Sequence, residues 1–470
     1  MNSKSKRHLR APDRISGLSD ALLWHILSFV ETQDAVRTCI LSTRWKNIWA
    51  SVPTLDFDPS CFRYPSKFLA FVDHVLLLRY SSNIQKFRLH WEGINVDDYR
   101  IHAWIHAAIR RNVVELDLCA GYSDETRIFE LPKSLVMCKT LVMLRLTSQF
   151  ITSIPASGCF PSLKSLHVTL HVKVNKSIFD VLSNCPILED LTMDGSLQDM
   201  NPLNLIITAP ALKTLRIWFY VGFGSYCYFI NCPKLENFYV TEDFPSTYYL
   251  KEAKSLVKAS IYLRRHCSNE QPGFYRVTEL LAEVSNVTYL CLLAHCFEVG
   301  SLPAYENLRQ LKLVIQDCFC WELLTELLKR SPILESLVLE CEVACCLQEG
   351  SDLDEGSEYE EGSEHEEGSD HEEGSEYEQG SNHEEGSEHQ WNPPDCVPTC
   401  CLSHLKIVTI RGFTGKGDEL EVAKYLLKYG QVLNKMTISM DRLDLNEKEK
   451  IYKEFLMVPR GSRTSIVEFI

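Results

Sequence analysis

Nineteen cysteines and fifteen histidines are the side chains of this 470-residue sequence best suited to hold a metal or to act as nucleophiles. Several cysteines gather late in the chain: Cys318, Cys320, Cys341, Cys345, Cys346, Cys396, Cys400 and Cys401. None forms a C-x-x-C pair, the spacing that lets two thiolates grip one zinc ion. Without it, scattered cysteines read as small buried apolar side chains in a reducing compartment, and no metal is expected. His365, His371, His383 and His389 sit among carboxylates, yet "HEEGS" puts Ser where H-E-x-x-H needs its second histidine. "GFGSYC" from Gly222 lacks the third glycine of a dinucleotide loop. "GFTGKGDE" from Gly412 places Asp418 where a phosphate loop needs Ser or Thr for magnesium. No G-x-S-x-G elbow occurs. The reading is therefore of a protein that is not an enzyme and carries no cofactor.

The pattern that organises the chain is a repeat: apolar, two variable, apolar, one variable, apolar. Clear copies are "LKSLHV" from Leu163, "LEDLTM" from Leu188, "LKTLRI" from Leu212, "LENFYV" from Leu235, "VTYLCL" from Val287, "LRQLKL" from Leu308 and "LESLVL" from Leu334. Weaker copies start at Ile84, Val113, Leu141, Leu256, Leu405 and Leu433. Steps between starts from 84 to 334 run from 21 to 31 residues, the range of leucine-rich repeats. Alternation on a short strand turns the apolar side chains to one face. Segments between strands supply a second layer, as in "WELLTELLKRSP", where Leu323, Leu324, Leu327 and Leu328 make a helical stripe ahead of Pro332. "VNKSIFDVLSNCP" repeats that layout. One unit cannot cover its own apolar face, so neighbours must stack into a solenoid.

The step from Leu334 to Leu405 is 71 residues and contains a Gly-Ser dipeptide every six residues from Gly350 to Gly386. Residues 349–390 hold 18 Asp or Glu and no Lys or Arg. Such a composition cannot build a core and is expected to be a disordered insert in one loop. Outside it, 48 basic residues face 45 acidic ones, so the net charge of −15 does not describe the folded part, and no nucleic acid partner is indicated. Basic residues of the strands, such as Lys164, Lys213, Arg216, Arg309 and Lys312, read as solvated. No run is apolar and long enough for a membrane span. "MNSKSKRHLR" is basic but not followed by an apolar core of a signal peptide. A nuclear and/or cytoplasmic location is expected, with no membrane partner.

The stretch Leu18 to Trp49 reads as three short helices. Leu23, Ile26, Leu27 and Val30 fall on one stripe, widened by Leu22 and Phe29, with Ser19 as a cap. Val36, Cys39 and Ile40 mark a second helix. Trp45, Ile48 and Trp49 mark a third, with Ser42 as its cap. About 40 residues form a unit that usually needs outside help to stay folded, and apolar surface left over on it marks a protein-binding site. A helix-turn-helix DNA-binding reading is an alternative. It finds Arg37, Arg44 and Lys46 opposed by Glu31 and Asp34, a thin excess for neutralising phosphates.

"DRISGLSDALLWHILSFVETQDAVRTCILSTRWKNIWASVPTLDFD", Asp13 to Asp58, resembles a plant F-box, and "LKIVTIRGFTGKGDELEVAKYLLKYGQVLNKMTI", Leu405 to Ile438, is similar to an FBD segment. Leucine-rich repeats between the two complete the order of the plant F-box/FBD/leucine-rich-repeat family. The resemblance implies an α/β chain: a three-helix F-box, then a curved repeat solenoid with concave strands and convex helices or loops, continued by the FBD. The domains read as a basic tail (1–12), F-box (13–58), repeats (59–348), acidic insert (349–395) and FBD with terminal repeats (396–470). It implies the substrate-recognition subunit of an SCF-type (Skp-cullin-F-box) ubiquitin ligase. The F-box would bind a Skp-type adaptor, and through it cullin and a RING protein, while the repeats bind an unknown protein substrate. The residues implied for adaptor binding are Leu18, Leu22, Leu23, Ile26, Leu27, Val36, Cys39, Leu41 and Trp45. The chain departs from the family where Ser19 and Glu31 replace its usual prolines. A repeat scaffold with a degenerate F-box and no ligase link is the alternative.

Overall fold

The computed structural model describes residues 15, 17–79, 83–120, 129–147, 150–151, 159–172, 183–197, 203–221, 226–242, 246–251, 253–263, 274–293, 302–315, 321–342, 391–415 and 417–470. The acidic run 349–390 and most of "VNKSIFDVLSNCP" lie outside the described residues. The chain divides into two compact units, Met1–Cys291 with Ser301–Pro303, and Leu292–Gly300 with Ala304–Ile470.

In the first unit, helices α1 (Asp20–Leu27), α2 (Thr32–Arg37) and α3 (Trp45–Ile48) precede a parallel sheet. Its strands follow chain order: Thr54–Phe57, Lys86–His90, Glu115–Cys119, Met143–Thr147, Ser165–Val172, Asp190–Leu197, Thr214–Val221, Asn237–Glu242 and Lys258–Leu263. The register aligns one apolar residue per strand, so that Leu55, Phe87, Leu116, Leu144, Leu166, Leu191, Leu215, Phe238 and Ala259 form one buried row. The residue three positions earlier, the start of each sequence repeat, is also buried, from Ile84 through Leu256. Each strand thus begins two residues after a repeat start. The first strand obeys the same template, Val52-x-x-Leu55-x-Phe57, a copy that the repeat reading from Ile84 onward passes over.

The layer opposite the sheet changes character along the chain. Helices Pro65–Leu78 and Asp98–Ile109 cover the early strands. Between Leu188 and Leu256 the layer is instead a second parallel sheet of Leu203–Thr208, Tyr226–Asn231 and Thr247–Lys251. Repeat length accounts for the change. The steps there are 21 to 24 residues, against 29 where Asp98–Ile109 fits. A helix advances about 1.5 Å per residue and a strand about 3.3 Å, so a six-residue strand spans what a helix of about twelve residues spans. The alternating, β-branched and aromatic segments "LNLIIT" and "YCYFIN" suit the shorter solution.

The second unit repeats the scheme with parallel strands Gln310–Ile315, Ser336–Cys341, Ile407–Arg411, Lys435–Ile438 and Ile466–Phe469. Helices Trp321–Arg330, Gly417–Tyr429 and Leu445–Met457 lie between them in the chain. Ser336–Cys341 pairs directly with Ile407–Arg411, Leu337 opposite Val408, so the acidic run is an insert into a continuous repeat. Trp391–Asp395 are not part of that tail: Trp391 donates its backbone N–H to Asp418 and its indole N–H to Thr325.

Strand cations expected to be merely solvated are paired. Glu189 bridges Lys164 and Lys213, Glu335 bridges Arg309 and Lys406, Lys312 meets Glu340, and Arg216 approaches Asp190 while lying over the Tyr239 ring. The described cysteines are free thiols, and most are buried. Among the described residues no group of three His, Cys, Asp or Glu could hold a metal ion.

One carboxylate is trapped between the two sheets of the first unit. Glu242 is fully buried; it accepts from the Tyr228 hydroxyl at 3.0 Å and the Ser246 N–H at 3.2 Å, and Tyr228 stacks on Tyr248. Burial raises its pKa from 4.5 to about 7, against the pull of its donors. Between those values the folded chain keeps a proton that the unfolded chain has released. The contribution is therefore present in full below 4.5 and is lost as pH rises towards about 7. We expect wild type to lose on the order of 3 kcal/mol over that window relative to Glu242→Gln. Urea titrations followed by near-ultraviolet circular dichroism read this; parallel pH profiles for the two chains would rule it out.

Candidate functional site

The three amino-terminal helices bury one set of side chains and expose another. Ser19 caps α1, its hydroxyl accepting from Leu22 N–H. Ser42 does not cap α3: the helix begins at Trp45, its cap position is Arg44 with no side-chain cap bond, and the Arg44 side chain turns back to bond Leu18 O at 2.6 Å and Asp20 at 2.5 Å. Leu23, Leu27, Ala35, Trp45, Ile48 and Val52 make the core, with Leu18 and Trp24 partly buried against it. Leu23 and Leu27 lie four residues apart on the inner stripe of α1. Leu22 and Ile26, also four apart, fall on the outer stripe and are 51% and 47% exposed, and Phe29 one turn on is 77% exposed. The His25 ring meets Phe29 edge-on at 4.9 Å. At the corner between α2 and α3, a 3-10 turn Thr38–Ile40 turns Ile40 and Leu41 outward, 85% and 62% exposed.

The nine residues singled out in sequence therefore separate. Leu22, Ile26 and Leu41 are on the surface, and Leu18, Val36 and Cys39 are half-buried. Leu23, Leu27 and Trp45 are buried in the core of the bundle. Phe29 and Ile40 are surface residues that the list omits. The signal for Phe29 was its place seven residues after Leu22, the period of two helical turns.

The bundle is fastened to the first repeat. Thr32 is buried and its hydroxyl accepts from Asp56 N–H at 2.7 Å. The buried Arg79 donates to Val52 O at 2.7 Å, and burial followed by the neighbouring Arg111 pulls its pKa down to about 10. Glu31, the residue at the second family proline, accepts from the Cys61 thiol at 3.0 Å and so turns towards the repeats. That contact pushes the Cys61 thiol pKa up. Of the cations a nucleic-acid reading would need, Arg37 pairs with Asp34 and Arg44 with Asp20. The outer face of the sheet presents a second exposed group: Trp218 and Tyr220 stand out beside the Arg216–Tyr239 stack.

Three family models match the chain in order: "F-box domain" over residues 15–56, the repeats of "FBD-associated F-box protein At5g56370, LRR repeats" over 101–260, and "FBD" over 392–438. Similar full-length relatives come from Arabidopsis thaliana. The F-box/FBD/LRR-repeat protein At4g00160 is 31% identical over 97% of this chain and 94% of its own length. The F-box/FBD/LRR-repeat protein At4g26340 is 30% identical over 97% of this chain and all of its own. The FBD-associated F-box protein At5g38590 is 30% identical over 92% and 95%.

The division of α1 into two stripes has a direct consequence. Leu23→Ala should cost about 2–5 kcal/mol through the cavity it leaves, whereas Ile26→Ala should stay within about 0.5 kcal/mol. Amide hydrogen exchange over residues 20–52 separates the two. Equal loss of protection in both variants would mean that the outer stripe is also core.

Proposed function

We propose, from the premise that this chain belongs to the plant family of FBD-associated F-box/leucine-rich-repeat proteins, that it is the substrate-recognition subunit of an SCF-type ubiquitin ligase. The observation that carries the reading is the uncovered apolar stripe of Leu22, Ile26 and Phe29 on a bundle whose own core is already complete. Such a stripe gains from burial against a second polypeptide. A Skp-type adaptor docks there and on Ile40 and Leu41, with Leu18, Val36 and Cys39 at the edges of the contact, and brings with it cullin and a RING protein.

The repeats hold the protein substrate. The Thr32–Asp56 and Arg79–Val52 hydrogen bonds support this arrangement, because they join adaptor face and repeats without a flexible linker. The chain then acts by effective concentration, holding a substrate lysine near the charged conjugating enzyme, and needs no bond chemistry of its own. Trp218, Tyr220 and the Arg216–Tyr239 stack are the residue types that dominate protein interfaces and are the first place to look for substrate contact. The two departures from the family do not remove the adaptor face. Ser19 replaces a proline with a side-chain cap, typically worth about 1 kcal/mol to a helix. Glu31 is engaged by Cys61. The protein would work in the nucleus and/or the cytoplasm, where such ligases meet their substrates.

Co-purification with a Skp-type adaptor tests the reading. Wild type should retain the adaptor, and Leu22→Asp with Ile26→Asp should weaken it by about 100-fold or more with helix content unchanged. A wild-type chain that retains no adaptor, or a double variant that retains it equally, would refute the assignment.

A further inference from the structure

The second unit contains a groove of about 940 Å³ that nothing in the adaptor reading uses. Three segments line it: the stretch from Trp391 to Val397, helix Gly417–Tyr429, and the end of helix Leu445–Met457 with Val458 and Pro459. One wall is aromatic. Trp391 is held by its two hydrogen bonds to Asp418 and Thr325. Tyr425 meets it edge-on at 5.2 Å, and Tyr429, one helical turn later, lies 4.7 Å from Tyr425. Met457, Val458 and Pro459 face them as an aliphatic wall.

The charges on the rim are unevenly spent. Lys424 holds both Glu421, at 3.2 Å, and Glu454, at 2.9 Å. Lys453 is paired with Glu449 at 2.8 Å. Lys428 lies over the Tyr429 ring at 5.0 Å, and among the described residues neither it nor Lys450 has a carboxylate partner. Of the lining carboxylates Glu421 and Glu454 are engaged by Lys424, which leaves Asp395 against two ammonium groups, Lys428 and Lys450, so that among the described residues the unpaired charge on the rim is net positive. A ligand with an anionic group beside an apolar body would find two ammonium groups that lack a carboxylate partner above an apolar wall. The groove is open to solvent along one side and is built from three separate segments. That shape leaves a polypeptide backbone hydrated while one or two side chains are buried, whereas a small molecule is usually enclosed over most of its surface.

We propose that this groove is a second recognition site that binds a peptide segment carrying one large apolar side chain flanked by carboxylates. Tyr425, Tyr429 and Trp391 take the side chain; Lys428 and Lys450 take the carboxylates. The site is independent of the adaptor face, and its test can succeed or fail without it.

The test is fluorescence anisotropy on the full chain with a fluorescein-labelled probe, Gly-Ser-Glu-Phe-Glu-Gly-Ser. Wild type should bind it, and binding should weaken as salt rises. Lys428→Glu and Tyr429→Ala should each weaken binding by about tenfold or more. The same peptide with Gln for both Glu should weaken by a similar factor. Tyr249→Ala, which removes an exposed ring stacked on Phe229 in the other unit, should leave binding unchanged. Circular dichroism of each variant shows that the chain is folded. No probe binding by a folded wild-type chain overturns the proposal. So does equal binding by Lys428→Glu and Tyr429→Ala, equal binding of the Gln peptide, or saturable binding of benzoate where the peptide does not bind.

Discussion

Each described strand of the long parallel sheet buries its apolar side chains with help from its neighbours in the stack, and that dependence governs everything else. A five-residue strand with two buried side chains cannot exclude water from them alone. Parallel pairing in strict register solves the problem by laying leucine on leucine, as in the row from Leu55 to Ala259 in the first unit and Leu311, Leu337, Val408 and Met436 in the second. A slip of one residue would turn each row to solvent. Register is therefore fixed by burial, and the outer face can vary freely. That face carries the paired charges Asp56, Arg88, Asp117 and Arg145 at one place and the exposed Trp218 and Tyr220 at another. Variation without cost to the core is what a recognition surface requires.

The strand side of this design was legible in the sequence because one template repeats and every copy has the same physical job. The thirteen starts from Ile84 to Leu433 are all buried and each leads a strand. The opposite layer was less legible. A spacer must only span and cover, and either a helix or a second strand does so. The choice follows from repeat length together with the pattern of "LNLIIT" and "YCYFIN", neither of which is part of the repeat template. The exposed apolar stripe of the amino-terminal bundle was legible in part. Periodicity names the apolar residues of α1, but Leu22 and Leu23 are adjacent leucines, and only the packing of Trp45 and Ile48 decides which one faces inward. The groove in the second unit could not be read. Trp391, Tyr425 and Met457 belong to three segments, and no local spacing relates them.

The acidic insert illustrates how loosely connections are constrained once register is set. The step from Leu334 to Leu405 is 71 residues, and the next, to Leu433, is 28. Closing the longer connection costs only about 0.8 kcal/mol more, because closure entropy grows with the logarithm of length. Leu337 still meets Val408 and Leu339 still meets Ile410. The stack therefore resumes as if the insert were an ordinary loop, and Trp391 re-enters with both of its N–H groups satisfied.

The amino-terminal bundle uses the opposite strategy, leaving apolar surface uncovered, and it can do so because its folding does not depend on that surface. Leu23, Leu27, Trp45, Ile48 and Val52 complete a core, and Thr32 and Arg79 tie it to a strand that is itself held by the stack. Exposing Leu22, Ile26, Phe29, Ile40 and Leu41 then forgoes a gain of roughly 1.5–3 kcal/mol for each side chain that a partner could fully bury. Much of that gain would go to ordering two molecules into one. The attachment through Thr32 and Arg79 reduces that loss, since there is no long linker whose freedom a docking partner would have to remove. The same rows of leucine that fix the strands thus also fix the direction in which the exposed helix faces.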